Sequence, residues 1–211
     1  MRSPMAKFTL PAAPLLLLVS DRSRYGGRAL EQVFLPARDL VGEGERLRRL
    51  ALGGVPLLVY DRVDAAVAIN ADGVHLTADG LAIGSAKGVG RGLLVGKSVS
   101  SVAEAVTAEA DGADYVVVEP VFFSRYAQNR PPTGASLVSR IRARVRIPLL
   151  AGGGITAGNA HQVIAAGADG VSVVTEIVES DDPRAAARSL LDAMRGAWDT
   201  RPLLREALVG G

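Results

Sequence analysis

The sequence predicts an α/β protein, a single (β/α)8 TIM barrel that spans residues 1–211 with its core at about 15–196. Short runs rich in Val, Leu and Ile recur along the chain, and most are continuous, as in strands that are covered on both faces. Amphipathic helical patterns separate several of these runs, which is typical of parallel βα units. Eight strands of this kind would close a barrel, and a doubly wound open sheet is the alternative.

Eight strands are predicted along the chain, and the second has the least clear strand pattern. They are expected at 15–20, 32–38, 56–60, 73–76, 93–98, 114–120, 147–153 and 170–176. Little sequence separates the first two, so we expect either a first helix shortened to a single turn at Gly27–Gln32 or a locally irregular barrel. Further helices are predicted at 44–54, 101–113, 156–168 and 182–196, with Ser101 as an N-cap and Gly112 and Gly167 as helix stops.

Two joints between a helix and the next strand are nearly identical, "EADGADYVVV" and "IAAGADGVSVV", and "INADGVHL" is similar. Each places Gly or Asp-Gly at a helix end, directly before a buried strand. Such repetition favours a series of parallel βα units.

The composition excludes several kinds of site. The chain has no cysteine, which excludes disulfides and thiolate metal sites, and its two histidines are His75 and His161. A net charge of +2 is too small to predict a nucleic-acid partner, even with a pI of about 9.2. The N-terminal apolar run at 14–20 is too short to span a membrane, and charged residues follow it instead of a cleavage site. We therefore expect a cytoplasmic protein with no membrane partner.

The stretch "AGGGIT" at 151–156 follows a predicted strand and precedes a predicted helix. Glycines let backbone N–H groups approach an anion, and a helix N-terminus adds a favourable dipole. With "SVVTE" at 172–176, this stretch predicts a cradle for a phosphomonoester. A tight strand-to-helix turn without a ligand is the other interpretation.

Three segments resemble the thiamine phosphate synthase/TenI family: "VYDRVDAAVAINADGVHL", "VGKSVSSVAEAVTAEADGADYVVVEPVF" and "IPLLAGGGITAGNAHQVIAAGADGVSVVTEI". The resemblance extends from about Leu15 to Met194. It implies a barrel that binds a small phosphorylated heterocycle, a thiazole phosphate, at the carboxyl ends of its strands. The phosphate would lie on Gly153 and Gly154, with the backbone of Val174 and Thr175 beyond. Because dimers are common in the family, a homodimer is expected.

The synthases of the family join a pyrimidine pyrophosphate to the thiazole phosphate with the help of Mg²⁺, and their motifs are altered here. The synthases carry a Q-x-R-E-K motif, which corresponds here to residues 34–38. Only its last cationic position is kept, as Arg38. Asp61 matches one metal ligand, or it pairs with Arg62 or caps the next helix. The second metal carboxylate corresponds to Gly80, next to Asp79. The P-T-x-T-K loop corresponds to 123–127, where the lysine is absent and Arg125 could partly replace it. These changes favour a TenI-like protein without a metal.

The TenI branch includes a thiazole tautomerase, whose catalytic histidine corresponds here to Ser100. A serine is a poor general base near neutral pH. Glu119 and His75, at two strand ends, are the candidates to replace it, although Glu119 could instead pair with Lys97 or Arg125 and His75 could be structural. The predicted function is therefore tautomerase-like. A Mg²⁺-dependent thiamine phosphate synthase and a non-catalytic phosphate-ligand-binding regulator are the alternatives.

Four further side chains are predicted to contact the substrate at the same ends of the strands. Lys97 and Ser98 end one strand, and Ser98 matches a ligand-contacting serine of the family. Tyr60 and Tyr126 would wall the pocket, or cover the barrel end.

Overall fold

The protein is built around a parallel β-sheet, seen in a computed structural model that describes residues 15–18, 56–124 and 130–209. Seven strands form it: β1 (Leu15–Leu18), β2 (Leu58–Tyr60), β3 (Gly73–Leu76), β4 (Leu94–Val99), β5 (Tyr115–Val118), β6 (Leu149–Gly152) and β7 (Gly170–Val173). Every described pairing is parallel.

The strand order, β1-β7-β6-β5-β4-β3-β2, is that of a barrel opened between β1 and β2. A doubly wound sheet would reverse its strand order partway, so the order excludes that alternative. The sheet is curled, because Leu15 of β1 and Leu58 of β2, from its two edges, pack on one cluster with Tyr115. The predicted strand at 32–38 and the shortened helix at Gly27–Gln32 lie outside the described residues, so complete closure of the barrel stays a prediction.

The helices lie against one face of the sheet, which we call the outer face. They are α1 (Val63–Ala68), α2 (Ile83–Val89), α3 (Val102–Ala110), α4 (Ala135–Arg142), α5 (Ala160–Ala165), α6 (Thr175–Val178) and α7 (Pro183–Val209). Helices lie within the predicted ranges 101–113 and 156–168, the helix predicted at 182–196 is present but continues to Val209, and the one at 44–54 lies outside the described residues. Within the described segments, no helix is long and apolar enough to cross a membrane.

Side chains alternate between the two faces of each strand. On β5, Val116 and Val118 join the large core under the helices, whereas Tyr115 and Val117 point to the other, inner face. The same alternation puts polar residues of β3, β4 and β7 on the inner face, as described below.

The repeated joints that were noted in the sequence have a common structure. In each, an aspartate carboxylate accepts a hydrogen bond from the backbone N–H at the start of the neighbouring strand. The pairs are Asp72 with Leu57 (2.8 Å), Asp114 with Val95 (2.8 Å) and Asp169 with Leu149 (3.0 Å). These bonds join consecutive strands at the amino ends of the sheet, opposite the end where a site is expected.

Candidate active site

A chain of polar side chains crosses the inner face near the carboxyl ends of the strands. Tyr115 Oη lies 3.1 Å from His75 Nδ1, and His75 Nε2 lies 3.0 Å from Ser98 Oγ. Ser98 Oγ then donates to Glu119 Oε1 at 2.7 Å. The parallel register brings these residues together, although they are 21 to 40 positions apart in the sequence.

The direction of this chain follows from counting protons. A serine has one hydroxyl proton, and that of Ser98 goes to Glu119, so Ser98 must accept from His75 Nε2–H. A neutral imidazole then has a bare Nδ1, which accepts the proton of Tyr115. All three hydrogen bonds therefore point towards Glu119.

His75, one of the two predicted bases, is buried and neutral in the structure, and its role as a base stays a prediction. It is 5% exposed, between the rings of Tyr60 and Tyr115, whose centroids lie 5.5 and 5.6 Å away. Burial is the main cause that lowers the pKa of His75 to about 4, with Asp61 opposing the change and Lys97 adding to it. Because both ring nitrogens are occupied within the chain, neither is available to a substrate. Burial also raises the pKa of Tyr115.

The buried His75 should make the protein less stable as the pH falls. With an ordinary pKa of 6.5 and a folded one of about 4, the unfolded state binds a proton that the folded state does not. Stability is therefore complete above pH 6.5 and declines by about 3 kcal/mol as the pH falls to 4. Denaturant unfolding at several pH values measures this. His75→Gln should remove this part of the pH dependence, and His161→Gln, at an exposed position, should keep it.

Glu119 lies directly after β5, on the inner face, and is partly exposed. In the described part of the chain it forms no ion pair. The pairing with Lys97 that the sequence allowed is not observed, because Lys97 shares the outer face of β4 with Val95 and Val99. Arg125, the other expected partner, lies outside the described residues. Glu119 is thus a fixed carboxylate with one oxygen bound by Ser98.

Two predicted site residues have other roles in the structure. Ser100 donates its backbone N–H (2.7 Å) and its hydroxyl (3.2 Å) to Glu104, in the N-terminal cap of α3. The hydroxyl of Ser100 is thus engaged in a helix cap, and its catalytic role stays a prediction. Lys97 lines a cavity of about 310 Å³ beside α2 and α3, and its Nζ lies 3.5 Å from the Gly80 carbonyl. Its contact with a substrate stays a prediction.

Asp61 is held firmly at the end of β2. Its backbone has a left-handed φ of 57°, and its carboxylate accepts from the Thr77 N–H (3.1 Å) and the Thr77 hydroxyl (2.9 Å). A Cβ at Gly80 would lie 2.2 Å from Asp61 Oδ1, so this arrangement has no room for the second carboxylate. The residues that the structure describes contain no group of three potential metal ligands.

The glycine turn after β6 takes a conformation that requires glycine. Gly153 and Gly154 have φ of 81° and 69°, and a Cβ at Gly154 would lie 2.3 Å from the Phe123 carbonyl oxygen. Among the described residues, their N–H groups donate no hydrogen bond. Val174 and Thr175 lie at the start of α6, whose Glu176 accepts from the Ala157 N–H at 2.9 Å and thereby links the two loops.

Two of the predicted contact residues, Arg38 and Tyr126, lie outside the described residues. Tyr60 lies at the carboxyl end of β2, 45% exposed, and flanks His75. Tyr115 and Ser172 also belong to the inner face and were not among the predicted site residues. A lone polar residue between valines, as in "VSVV" (171–174), was the signal for Ser172.

Comparison with known proteins agrees with this architecture. The TMP-TENI family model, described as thiamine monophosphate synthase, matches residues 30–177. A thiamine-phosphate synthase of Methanoculleus marisnigri is 47% identical over 166 residues, which are 77% of this chain and 79% of that protein. One from Chloroflexus aurantiacus is 43% identical over 155 residues, 72% of each protein.

A solved structure is also similar, that of a thiamine phosphate pyrophosphorylase from Pyrococcus furiosus. It has a TM-score of 0.76 and 31% identity, and the match covers 86% of this chain and 96% of that one. The relatives are named as synthases, so the expectation of a protein closer to TenI is not confirmed. The chain belongs to the TMP-TENI family, the family of thiamine monophosphate synthase.

Proposed function

We propose that the protein is a thiamine-phosphate synthase, which was the second interpretation of its sequence. The observation that supports this best is the 47% identity with a named synthase over 77% of the chain. The pyrimidine pyrophosphate loses its C–O bond, and the electron pair leaves with the pyrophosphate. The lone pair of the thiazole nitrogen then forms the new C–N bond, and the ring becomes a thiazolium.

The glycine turn is the proposed binding site of the thiazole phosphate. The N–H groups of Gly153 and Gly154 donate to the phosphate oxygens, and the backbone N–H groups of Val174 and Thr175 approach it from the other loop. Glu176 keeps the two loops together through Ala157.

Asp61 is the residue that would hold Mg²⁺. Each of its carboxylate oxygens accepts one hydrogen bond from Thr77 and keeps a lone pair, so Asp61 fits a metal whose other ligands are substrate phosphates and water. When bound, the ion would neutralise the charge of the departing pyrophosphate. The hydrogen bonds from Thr77 orient the carboxylate for this role.

A tautomerase-like activity is the second candidate, and Glu119 is the observation that favours it. Glu119 is a carboxylate fixed at the edge of the inner face by Ser98. A carboxylate in that place could take a proton from a bound thiazole without a metal.

The two candidates differ in their need for a metal. We expect the purified protein to form thiamine phosphate and pyrophosphate from the two substrates with Mg²⁺, and to stop when the metal is chelated. Asp61→Asn should lower the rate more than about tenfold, since a metal ligand is lost. Asp79→Asn, an exposed neighbour, should change it little and serves as the control. Metal-free isomerisation of a thiazole carboxylate phosphate would support the tautomerase instead, and binding without turnover would indicate a regulator.

A further inference from the structure

Gly152, the last residue of β6, has no side chain, and this lets Glu119 lie close to β6 and β7. A Cβ at Gly152 would be crowded, 3.1 Å from Glu119 Oε2, 3.2 Å from Val117 Cγ1 and 3.4 Å from Ser172 Cβ. Gly152 is paired with Ser172 in the register of β6 and β7, and the next residue begins the glycine turn. We call this part of the inner face, formed by Glu119, Gly152 and Ser172, the recess.

Ser172 places a buried hydroxyl in the recess. The residue is 7% exposed, and its neighbours Val171 and Val173 belong to the core under the helices, so its side chain is on the inner face. In the segments that the structure describes, its hydroxyl makes no hydrogen bond. Because buried polar groups nearly always have a partner, this hydroxyl is suited to a ligand.

Glu119 adds a negative charge to the same part of the inner face. Its Oε1 accepts from Ser98, whose own proton is directed there by His75 and Tyr115. Its Oε2 is the oxygen that borders the recess. No described cation pairs with Glu119, and a partly desolvated carboxylate of this kind attracts positive charge more strongly than one in water.

The geometry points to a recess that selects a positively charged heterocycle over its neutral counterpart, through Glu119 and Ser172. This inference rests on the proposed function, because the phosphate on the glycine turn places the ring beside the recess. In that reaction the thiazole nitrogen donates its lone pair to carbon, so a neutral ring becomes a cation. A carboxylate that is already in place stabilises this charge as it develops. His75, Ser98 and Tyr115 position the carboxylate.

Two probes of nearly equal shape test the inference: thiazole phosphate and its N-methylated thiazolium. Their dissociation constants, measured by titration calorimetry against the full chain, should differ by roughly tenfold in favour of the cation. Glu119→Gln keeps an acceptor for Ser98 but removes the charge, so the preference should disappear while the affinity for inorganic phosphate is unchanged. Ser172→Ala should reduce the preference, because a hydroxyl oxygen can turn towards a positive ring.

Asp79→Asn is the matched control, since it removes an exposed carboxylate at the same end of the sheet. This variant should keep the preference for the cationic probe. If the preference were lost, it would arise from the general electrostatic field of the protein and not from the recess, and the inference would be overturned. Equal binding of both probes to the unmodified protein would overturn this inference but not the proposed function. This measurement does not require any variant to fold. If neither ring improves on inorganic phosphate, the proposed function fails together with this inference.

Discussion

Gly154→Ala should destabilise the protein and abolish binding of the phosphate ligand. The residue has a φ of 69°, which a non-glycine residue adopts only with strain, and its Cβ would lie 2.3 Å from the Phe123 carbonyl oxygen. The obstacle is backbone, so no side-chain rotation relieves it, and the turn must move. We expect a loss of about 2–4 kcal/mol in the free energy of unfolding, measured with denaturant.

The same movement would displace the N–H groups of Gly153 and Gly154, which are the proposed donors to the phosphate. Titration with thiazole phosphate should therefore show no measurable binding. Gly158→Ala is the matched control, because its φ is ordinary and the nearest atom to its Cβ, Thr156 Oγ1, is 3.7 Å away. The Gly158→Ala variant should retain both the stability and the binding of thiazole phosphate. A Gly154→Ala protein that unfolds at the normal denaturant concentration would show that the turn is not constrained as described.

Much of the fold could be predicted from the sequence because buried parallel strands produce continuous apolar runs. Each of the seven described strands lies within or overlaps a predicted run. The helix α3 was predicted for a local reason as well: Ser101 accepts from the Glu104 N–H at 3.2 Å. By contrast α2 was missed, since Gly84 and Gly88 weaken its helical pattern and burial of Ile83 and Ala86 determines its position.

The site was harder to predict, because its contacts join different strands. Glu119 and His75 were identified as polar residues at strand ends, but nothing local shows that Ser98 connects them. Ser100 was assigned from its place in a motif, whereas the structure shows it bound to Glu104 one helical turn away. The branch of the family is also hard to predict, because the resemblance over most of the chain is common to both branches and the altered motif positions alone favour TenI.

Asp169→Ala should lower the stability of the protein without affecting its ligand binding. The carboxylate accepts hydrogen bonds from Arg142 Nη1 at 2.8 Å and from the Leu149 N–H at 3.0 Å. The side chains of Arg142 and Asp169 are 16% and 20% exposed. Removing the carboxylate leaves a largely buried guanidinium and a strand N–H without this acceptor. We expect a loss of about 2–3 kcal/mol and a decrease in the thermal midpoint of roughly 5–10 °C.

The control is Asp192→Ala, because its pair with Arg195 has side chains that are 65% and 64% exposed, and no resolvable change in the midpoint is expected. Asp114→Ala should fall between the two, since the ion pair with Lys87 is 25% and 38% exposed. Asp169 joins the amino ends of the strands, whereas Gly154 lies at their carboxyl ends. Below its melting temperature, Asp169→Ala should therefore bind thiazole phosphate normally. Loss of binding there would mean that the two ends of the sheet are coupled, and that the glycine turn alone does not determine phosphate affinity.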